Sequence, residues 1–376
     1  MRSGRGSGSL SWVHIGDLHI STAQSPNYAD FLAIIGSINT QLAEQIDFCI
    51  LPGDNADDGS SAQYALIREG LDGLKIPVHI LPGDHDRKAG HLRDFYHVLE
   101  APRLPFALSA CGYRCIFLDM VSAGRGGADF ALGEAQLRWL EAELGLAASH
   151  EDGSVIFMHA YPADLKAERE RVCHLLARHK VAVVDMGHTH YNELANDGRT
   201  IFATTRSTGQ IEEGPVGFSL VCLHRGVVSW RFKTLESAWP LVMITSPGDH
   251  RLITDVKNPN QIVSGWLPIS ARVFGSSSIS GCRCRIDEGR WTSMHLELES
   301  RQWVGMGEAP SQQFVLTVEA TDTLGQTDSD TIEVAVPGYL APPRRADGSD
   351  ADAVGAWPSR HLLGSRLGPN RNGRQW

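Results

Sequence analysis

From Leu10 the chain alternates short apolar runs with amphipathic stretches. "LSWVHI", "IDFCIL", "PVHIL", "YRCIFLDM", "SVIFMH" and "VAVVDM" are nearly unbroken apolar runs, which predicts buried strands. Between them, "YADFLAIIGSINTQLAEQ", "GEAQLRWLEAEL" and "DLKAERERVCHLLARH" place apolar residues at helical spacing. Strand–helix alternation of this kind predicts α/β architecture, with helices covering the faces of a sheet. After His190 the pattern changes to "RTIFATT", "FSLVCLH" and "VVSWRFKT", separated by glycine-containing turns, and predicts strands that complete a second sheet. Beyond Glu236 the period is two rather than 3.6. "PLVMITSP", "WLPISARVF", "RCRIDEG", "MHLELES" and "LTVEATDTLGQTDSDTIEV" predict a β-sandwich of about 100 residues. The reading is a flexible start at 1–9, an α/β domain at 10–235, a β-sandwich at 236–338 and a disordered tail at 339–376, rich in Pro, Gly, Ser, Ala and Arg. Contact between the tail's arginines and an acidic partner is the less favoured reading of that tail.

Composition narrows this picture. A chain of 376 residues, 42 % hydrophobic and 21 % charged, is large enough for two domains with sizeable cores. Net charge is −10 with no long basic run, which argues against a duplex nucleic-acid binder. No apolar run approaches the roughly 18 residues that span a bilayer, and "MRSGRGSGSLSW" lacks the apolar core of a signal peptide. Seven scattered cysteines form no disulfide framework, and "GCRCR" reads as ordinary strand sequence rather than a zinc knuckle. The expectation is a cytoplasmic protein without membrane contact.

Candidate chemistry gathers where the predicted strands end. The first runs into Asp17-Leu18-His19, the second into Gly53-Asp54-Asn55, the third into Gly83-Asp84-His85-Asp86, a later one into His159, and the next into Gly187-His188-Thr189-His190. In open α/β sheets ligands bind beyond the carboxyl ends of strands, so five sets would converge on one place. Buried carboxylates and imidazoles cost several kcal/mol each unless paired or metal-bound, which makes five such sets hard to explain by packing. Mixed carboxylate and imidazole donors suit Mn, Fe, Zn, Ni or Co. A pair of divalent ions about 3.5–4 Å apart can hold a bridging hydroxide and clamp both oxygens of an in-line phosphoryl displacement. Neither a nucleotide-cradling glycine loop nor a G-x-S-x-G elbow is present, so metal-assisted phosphoester hydrolysis is the simplest reading.

On these residues the chain strongly resembles the calcineurin-like metallophosphoesterase superfamily, whose pattern is D-x-H, G-D, G-N-H-[DE], H and G-H-x-H. All five blocks occur in order between Asp17 and His190, and "LGEAQLRWLEAELG" resembles the family's helix ahead of the fourth. The compact layout is similar to the bacterial cyclic-nucleotide phosphodiesterase and small phosphodiesterase branch, and the C-terminal part to bacterial immunoglobulin-like modules. The resemblance implies a four-layer αββα sandwich followed by an all-β sandwich domain, and two transition-metal ions, divalent or trivalent, with Mn, Fe or Zn foremost. Asp17, His19 and His190 would hold the first ion, Asp54 would bridge, and Asp84, His159 and His188 would hold the second. His85 would meet the scissile phosphate and protonate the leaving oxygen, with Asp86 orienting it. Asp86 is also placed to cap a helix over "RKAGHLRDFYHVLE". Asn55 and Arg125, the latter in the glycine-rich segment "VSAGRGGADF", are the candidate substrate contacts.

Asp84 departs from the family, which has Asn at that place. With Asp17 and Asp54 it gives three carboxylates, so two divalent ions and one hydroxide would sum to about zero charge. Such a centre should hold metal more tightly and attract an anionic ester less. The expected substrate is a small phosphodiester of the cyclic-nucleotide or glycerophosphodiester type. The alternatives are a phosphomonoesterase or protein phosphatase, or a metal-binding scaffold whose catalysis has decayed. The β-sandwich is expected to pack on the first domain or to support a homo-oligomer, in preference to binding a ligand. Trp239, Trp266, Trp291 and Trp303 are expected in its core or at domain contacts.

Overall fold

The computed structural model describes residues 8–147, 153–210, 213–340 and 352–364. The strands of the first domain are β1 (Leu10–His14), β2 (Phe48–Leu51), β3 (Val78–Ile80), β4 (Phe106–Ala110), β5 (Tyr113–Phe117), β6 (Ser154–Met158), β7 (Val181–Met186), β8 (Glu193–Asn196), β9 (Ile201–Thr204), β10 (Gly217–His224) and β11 (Val227–Thr234). They form a five-stranded sheet of order β11-β10-β1-β2-β3 and a six-stranded sheet of order β4-β5-β6-β7-β9-β8. The central strands of each run parallel.

Alternation along the strands divides the core into layers. Trp12 and Phe48 in one sheet meet Phe117 and Phe157 in the other, with the Trp12 and Phe157 rings 5.5 Å apart edge to face. On the outer side, Val13, Cys49 and Leu51 pack with Phe31, Ile34 and Ile38 of helix α1 (Pro26–Gln41) and with Tyr64 and Ile67 of α2 (Ser61–Asp72). A short α3 (Arg93–Val98) follows β3, while α4 (Gly133–Ala147) and α5 (Arg169–Arg178) cover the second sheet. Helix α1 starts on Pro26, where a missing N–H costs nothing, and buries Tyr28, Phe31, Ile35 and Ile38 on one face. The result is a four-layer αββα sandwich. Between the sheets, His14 Nδ1 lies 2.5 Å from Asp185 Oδ1, and Trp12 Nε1 donates to the other carboxylate oxygen. This fully buried group ties β1 to β7 three residues before Asp17 and His188.

Five elements differ from expectation. β9 does join the second sheet, but β10 and β11 return to the first, β10 pairing antiparallel along β1 from Leu10↔Leu223 to His14↔Ser219. Helix α2 and the edge strands β4 and β8 are present although their short, mixed patterns gave no clear signal.

Past Thr234 the chain forms two four-stranded sheets. One contains Leu241–Ser246, Trp266–Phe274, His295–Glu297 and Gln302–Glu308; the other contains Ile279–Ile286, Thr292–Ser293, Phe314–Asp322 and Thr327–Val334. Leu267, Ile269, Cys282, Cys284, Leu316, Val318 and Ile332 fill the space between them, so the two cysteines are core residues. This β-domain sits against the starts of β1 and β2. Arg272 donates to Ser11 Oγ at 2.9 Å and to Gln45 O at 2.5 Å. Two expectations are corrected here. Trp266 is 70 % exposed, because its strand begins at the sheet's rim. Residues 352–364, placed in a disordered tail, are packed against the first domain with Trp357, Arg360 and Leu362 buried. Composition averaged over the tail hid three residues with well-defined partners. The stretches 341–351 and 365–376 of that tail lie outside the described residues.

Candidate metal centre

The parallel strands β1, β2, β3, β6 and β7 all point their carboxyl ends to one edge, and the loops beyond them bring the acidic and imidazole side chains together. Close approach depends on glycine. A Cβ on Gly53 would stand 2.1 Å from His159 Nδ1, one on Gly83 would stand 2.2 Å from Asp54 Oδ1, and one on Gly187 would stand 2.5 Å from Asp17 Oδ1. Backbone strain also concentrates here. His19, Asp54, His188 and His190 adopt left-handed conformations, with φ of 45°, 50°, 66° and 62°. Non-glycine residues reach that region at a cost of roughly 1–3 kcal/mol each, which the surrounding hydrogen bonds must offset. Among those bonds, His19 N donates to Asp54 O at 2.9 Å and His188 N to Asp17 Oδ2 at 3.0 Å.

Two donor groups result, and Asp54 belongs to both. Asp54, Asp84, His159 and His188 offer donor atoms within 4.8 Å of one another, as do His19, Asp54 and His85. In the first group, Asp84 Oδ1 is 3.3 Å from His159 Nε2 and 3.2 Å from His188 Nδ1, and His159 Nε2 is 3.4 Å from Asp54 Oδ1. On the other side, His19 Nε2 is 3.0 Å from His190 Nε2 and 3.8 Å from Asp54 Oδ2. Asp17 lies between, Oδ1 3.9 Å from His159 Nδ1. The seven residues expected to hold metal are thus all within one cluster.

The electrostatics show what the cluster lacks. Burial and the charges of Asp54 and Asp84 push the Asp17 carboxyl well above its usual range, against the pull of His159. His159 would be made less basic by burial, but Asp54, Asp84 and Asp17 together raise it well above an ordinary imidazole. Asp84 is held well below the carboxylate range: His159 and His188 outweigh its burial. Asp54 is likewise held low by His159 and His19 in spite of burial and Asp84. Asp17 Oδ1 and His188 Nε2 are meanwhile buried without a hydrogen-bond partner. Mixed O and N donors, excess negative charge and orphaned donor atoms fit a pair of transition-metal ions. The opposite edge is less basic. Burial, and for His190 the nearby His19, lowers His19 to about 4 and His190 to about 3.

The remaining expected residues fare unevenly. His85 stands at the rim, its side chain 19 % exposed, with Nδ1 3.2 Å from His19 Nδ1. The same nitrogen is 2.9 Å from Asp57 O and 2.7 Å from Lys88 Nζ. Donation to Asp57 O needs a protonated Nδ1 and acceptance from Lys88 needs a bare one, so the two contacts alternate with the ring's proton. Asp86 does not orient His85. Its buried carboxylate accepts from Gly83 N, Asn55 N, Asn55 Nδ2, Ala56 N and Tyr64 Oη, knitting the loops after β2 and β3. Burial and the Asp54 charge raise it to about 6, partly offset by those backbone donors. Nor does it cap a helix, since α3 begins at Arg93. Asn55 is fully buried and spends both amide hydrogens on Leu81 O and Asp86 Oδ2, leaving none for a substrate. Arg125 is exposed and, among the described residues, its guanidinium makes no contact with the cluster. Its loop is fixed instead by Arg87, which donates to Val121 O and Gly124 O, and by Phe130, whose ring lies 4.8 Å from that of His188. Asp57, Lys88 and Gln210 were not foreseen, although "GDNADD" and "GDHDRK" place two of them beside the motifs. Gln210 Nε2 reaches to 3.3 Å from His19 Nδ1.

Comparison with known proteins agrees with this geometry. Residues 11–192 match the family model described as calcineurin-like phosphoesterase. A Fibrobacter succinogenes protein named "Probable cyclic nucleotide phosphodiesterase" is 26 % identical over 242 residues, 60 % of this chain and 87 % of the relative. A glycerophosphodiester phosphodiesterase of Enterobacter lignolyticus is 28 % identical over 164 residues, 41 % of this chain and 57 % of the relative, so the chain spans little more than half of that protein. The crystal structure of a dimetal phosphatase from Danio rerio superimposes with a TM-score of 0.51 at 16 % identity, covering 60 % of this chain and 96 % of that one; this likeness concerns the fold alone. Residues 11–192 thus match the calcineurin-like phosphoesterase family model and carry its fold.

Proposed function

We propose that this calcineurin-like phosphoesterase domain hydrolyses small phosphodiesters, of the cyclic-nucleotide or glycerophosphodiester type, with two transition-metal ions of the Mn, Fe or Zn kind. The observation that carries the reading is a pair of donor groups sharing one carboxylate, Asp54. Asp17, His19 and His190 would complete one ion site, and Asp84, His159 and His188 the other. When bound, the ions would activate water and offset the charge that develops on the phosphoryl oxygens.

The chain's own residues account for the rest. His85 is the imidazole at the mouth of the cluster and delivers a proton to the leaving alkoxide, a role in which an imidazole can both hold and release the proton. The exchange of its Nδ1 between Asp57 O and Lys88 gives the ring a partner in either protonation state. Lys88, exposed at that mouth, supplies a positive charge toward an anionic ester that three neighbouring carboxylates repel. Asp86 holds the two loops that carry Asp54 and Asp84. A diester is favoured over a monoester by the names of the relatives and by this charge pattern, because a diester brings one negative charge rather than two.

The test is metal analysis of the purified protein combined with hydrolysis of bis(p-nitrophenyl) phosphate and p-nitrophenyl phosphate, with Mn, Fe, Zn, Ni and Co added in turn. The expected result is diester turnover with two ions per chain, reduced about 10²–10⁴-fold in His85→Ala without loss of metal. Preference for the monoester would transfer the protein to the phosphomonoesterases. Bound metal with no turnover of either ester would identify a scaffold.

A further inference from the structure

The segment 352–364 makes contacts that lead directly toward the donor cluster. It first adds to the edge of β8, where Ala353 bridges Ala195 and Val354 N donates to Leu194 O at 2.9 Å. A turn then closes between Trp357 and Leu362, whose backbones bond in both directions at 2.8 and 3.2 Å. At its apex His361 takes a left-handed φ of 60°. Arg360, 3 % exposed, donates to Trp230 O on β11 at 2.8 Å and to Asp330 Oδ2 in the β-domain at 2.8 Å. A buried charge pair is costly to break, so the turn is firmly seated across both domains.

The carbonyl of His361 is the informative group. It accepts from Asn192 Nδ2 at 3.1 Å and from Arg206 Nη2 at 2.9 Å. Arg206 is fully buried, stacks over Phe232 at 4.5 Å, and also donates to Pro215 O at 3.0 Å. Its place exists because residue 214 is glycine, whose Cβ would fall 2.1 Å from Nη1. From these two side chains the path to the cluster is short. Arg206 N donates to Asn192 Oδ1 at 2.8 Å, Ser207 N to His190 O at 3.3 Å, and Ser207 Oγ to Asp17 O at 2.7 Å. Gly209 N also reaches Asp17 O at 3.1 Å.

We infer that residues 352–364 are a positioning strap, which through the His361 carbonyl, Asn192 and Arg206 holds the loops bearing Asp17 and His190 in their strained conformations. Asp84 and His159 are held by other contacts, the first on the loop that Gly83 N ties to Asp86 and the second at Pro52 O, whereas His188 rests partly on Phe130 and partly on Asp17, to which its N–H donates. Loss of the strap therefore weakens the ion site of Asp17, His19 and His190 more than that of Asp84, His159 and His188. The inference rests on the reading of Asp17, His19 and His190 as metal donors.

The test compares His361→Pro with His361→Gly. Proline cannot adopt a positive φ and lacks the N–H that donates to Pro358 O, whereas glycine keeps both and removes only the imidazole. In His361→Pro the ions retained after dialysis should fall from two to one, with affinity for the lost ion weakened about 10–100-fold, the range typical of groups that orient ligands. His361→Gly should retain two. Two ions in both variants, or loss of both ions in a folded His361→Pro protein, would overturn the inference. If His361→Pro does not fold, a protease site placed between residues 341 and 351 allows the strap to be released from folded, loaded protein, with the same two readings. If the unmodified protein itself fails to bind two ions, the proposed function falls first. The strap is then judged by hydrogen exchange over residues 187–210, which must quicken in the proline variant and not in the glycine variant.

Discussion

The two sides of the donor cluster are built from the same kinds of residue and have opposite electrostatic character. On one side Asp84 stands between His159 and His188 and is held ionised, while His159 is made strongly basic by three carboxylates. On the other, His19 and His190 face each other at 3.0 Å and are held neutral, with Asp54 and Asp57 each 3.8 Å from a His19 nitrogen. Each side has one carboxylate of its own beside the shared Asp54: that of the first, Asp84, is held ionised, while that of the second, Asp17, is pushed by burial well above its usual range. Two ions bound here would not be equivalent. The side with Asp84 should take the ion of higher charge or harder character, and the contrast between the ionised Asp84 and the raised Asp17 is what makes the sides unequal.

Removing that inequality gives the largest expected effect. Asp84→Asn keeps the shape and deletes one negative charge, so ion retention on that side should drop about 10–100-fold and the preferred metal should change. Competitive loading with equal Mn, Fe and Zn, followed by metal analysis, checks this; unchanged content and preference would contradict it. Next is Lys88→Met, which leaves the ion sites alone and removes the cation beside His85. The expected outcome is a KM for an anionic diester raised about 5-fold with kcat little changed, corresponding to about 1 kcal/mol for a solvent-screened charge contact. A fall in kcat at constant KM would move Lys88 from recognition to proton handling.

The smallest effect lies away from the cluster and sets a baseline for it. Burial lowers His79, among Phe48, Phe106 and Phe117, to about 4, and burial with Arg225 and Arg272 lowers His224 to about 4. Both remain neutral in the fold while an unfolded histidine titrates near 6.5. Stability should therefore be full above about pH 6.5 and decline as pH falls toward about 4, where the unfolded chain takes up protons that the fold refuses. Urea midpoints at about pH 7.5 and about pH 5 should differ less in His224→Gln than in the unmodified protein. An equal pH dependence in both would remove His224 from the account.

How much of this could be read in advance depended on what each feature rests on. The clustering of acidic and imidazole side chains was legible because such residue types recur at strand ends, and glycine had to precede Asp54, Asp84 and His188 for the loops to pass so close. Asn55 and Asp86 misled for a related reason: a residue beside a motif is assumed to face the substrate, yet these two face each other beneath it. Asp57, Lys88 and Gln210 come to the site through loop paths that no periodicity encodes. The segment 352–364 was illegible because its order depends on Trp357, Arg360 and Leu362 finding distant partners, while its average composition matches that of a disordered chain. The return of β10 and β11 to the first sheet is a matter of topology, and apolar runs alone do not say which edge they join.

The central claim is that two ions occupy adjacent, unequal sites joined by Asp54. The most direct measurement is electron paramagnetic resonance of the Mn-loaded protein beside its Asp54→Asn variant. The account predicts two Mn ions per chain with a spin-coupled signal, and in the variant loss of the coupling, with only isolated Mn remaining. Two uncoupled ions in the unmodified protein, or coupling that persists without the Asp54 carboxylate, would contradict it.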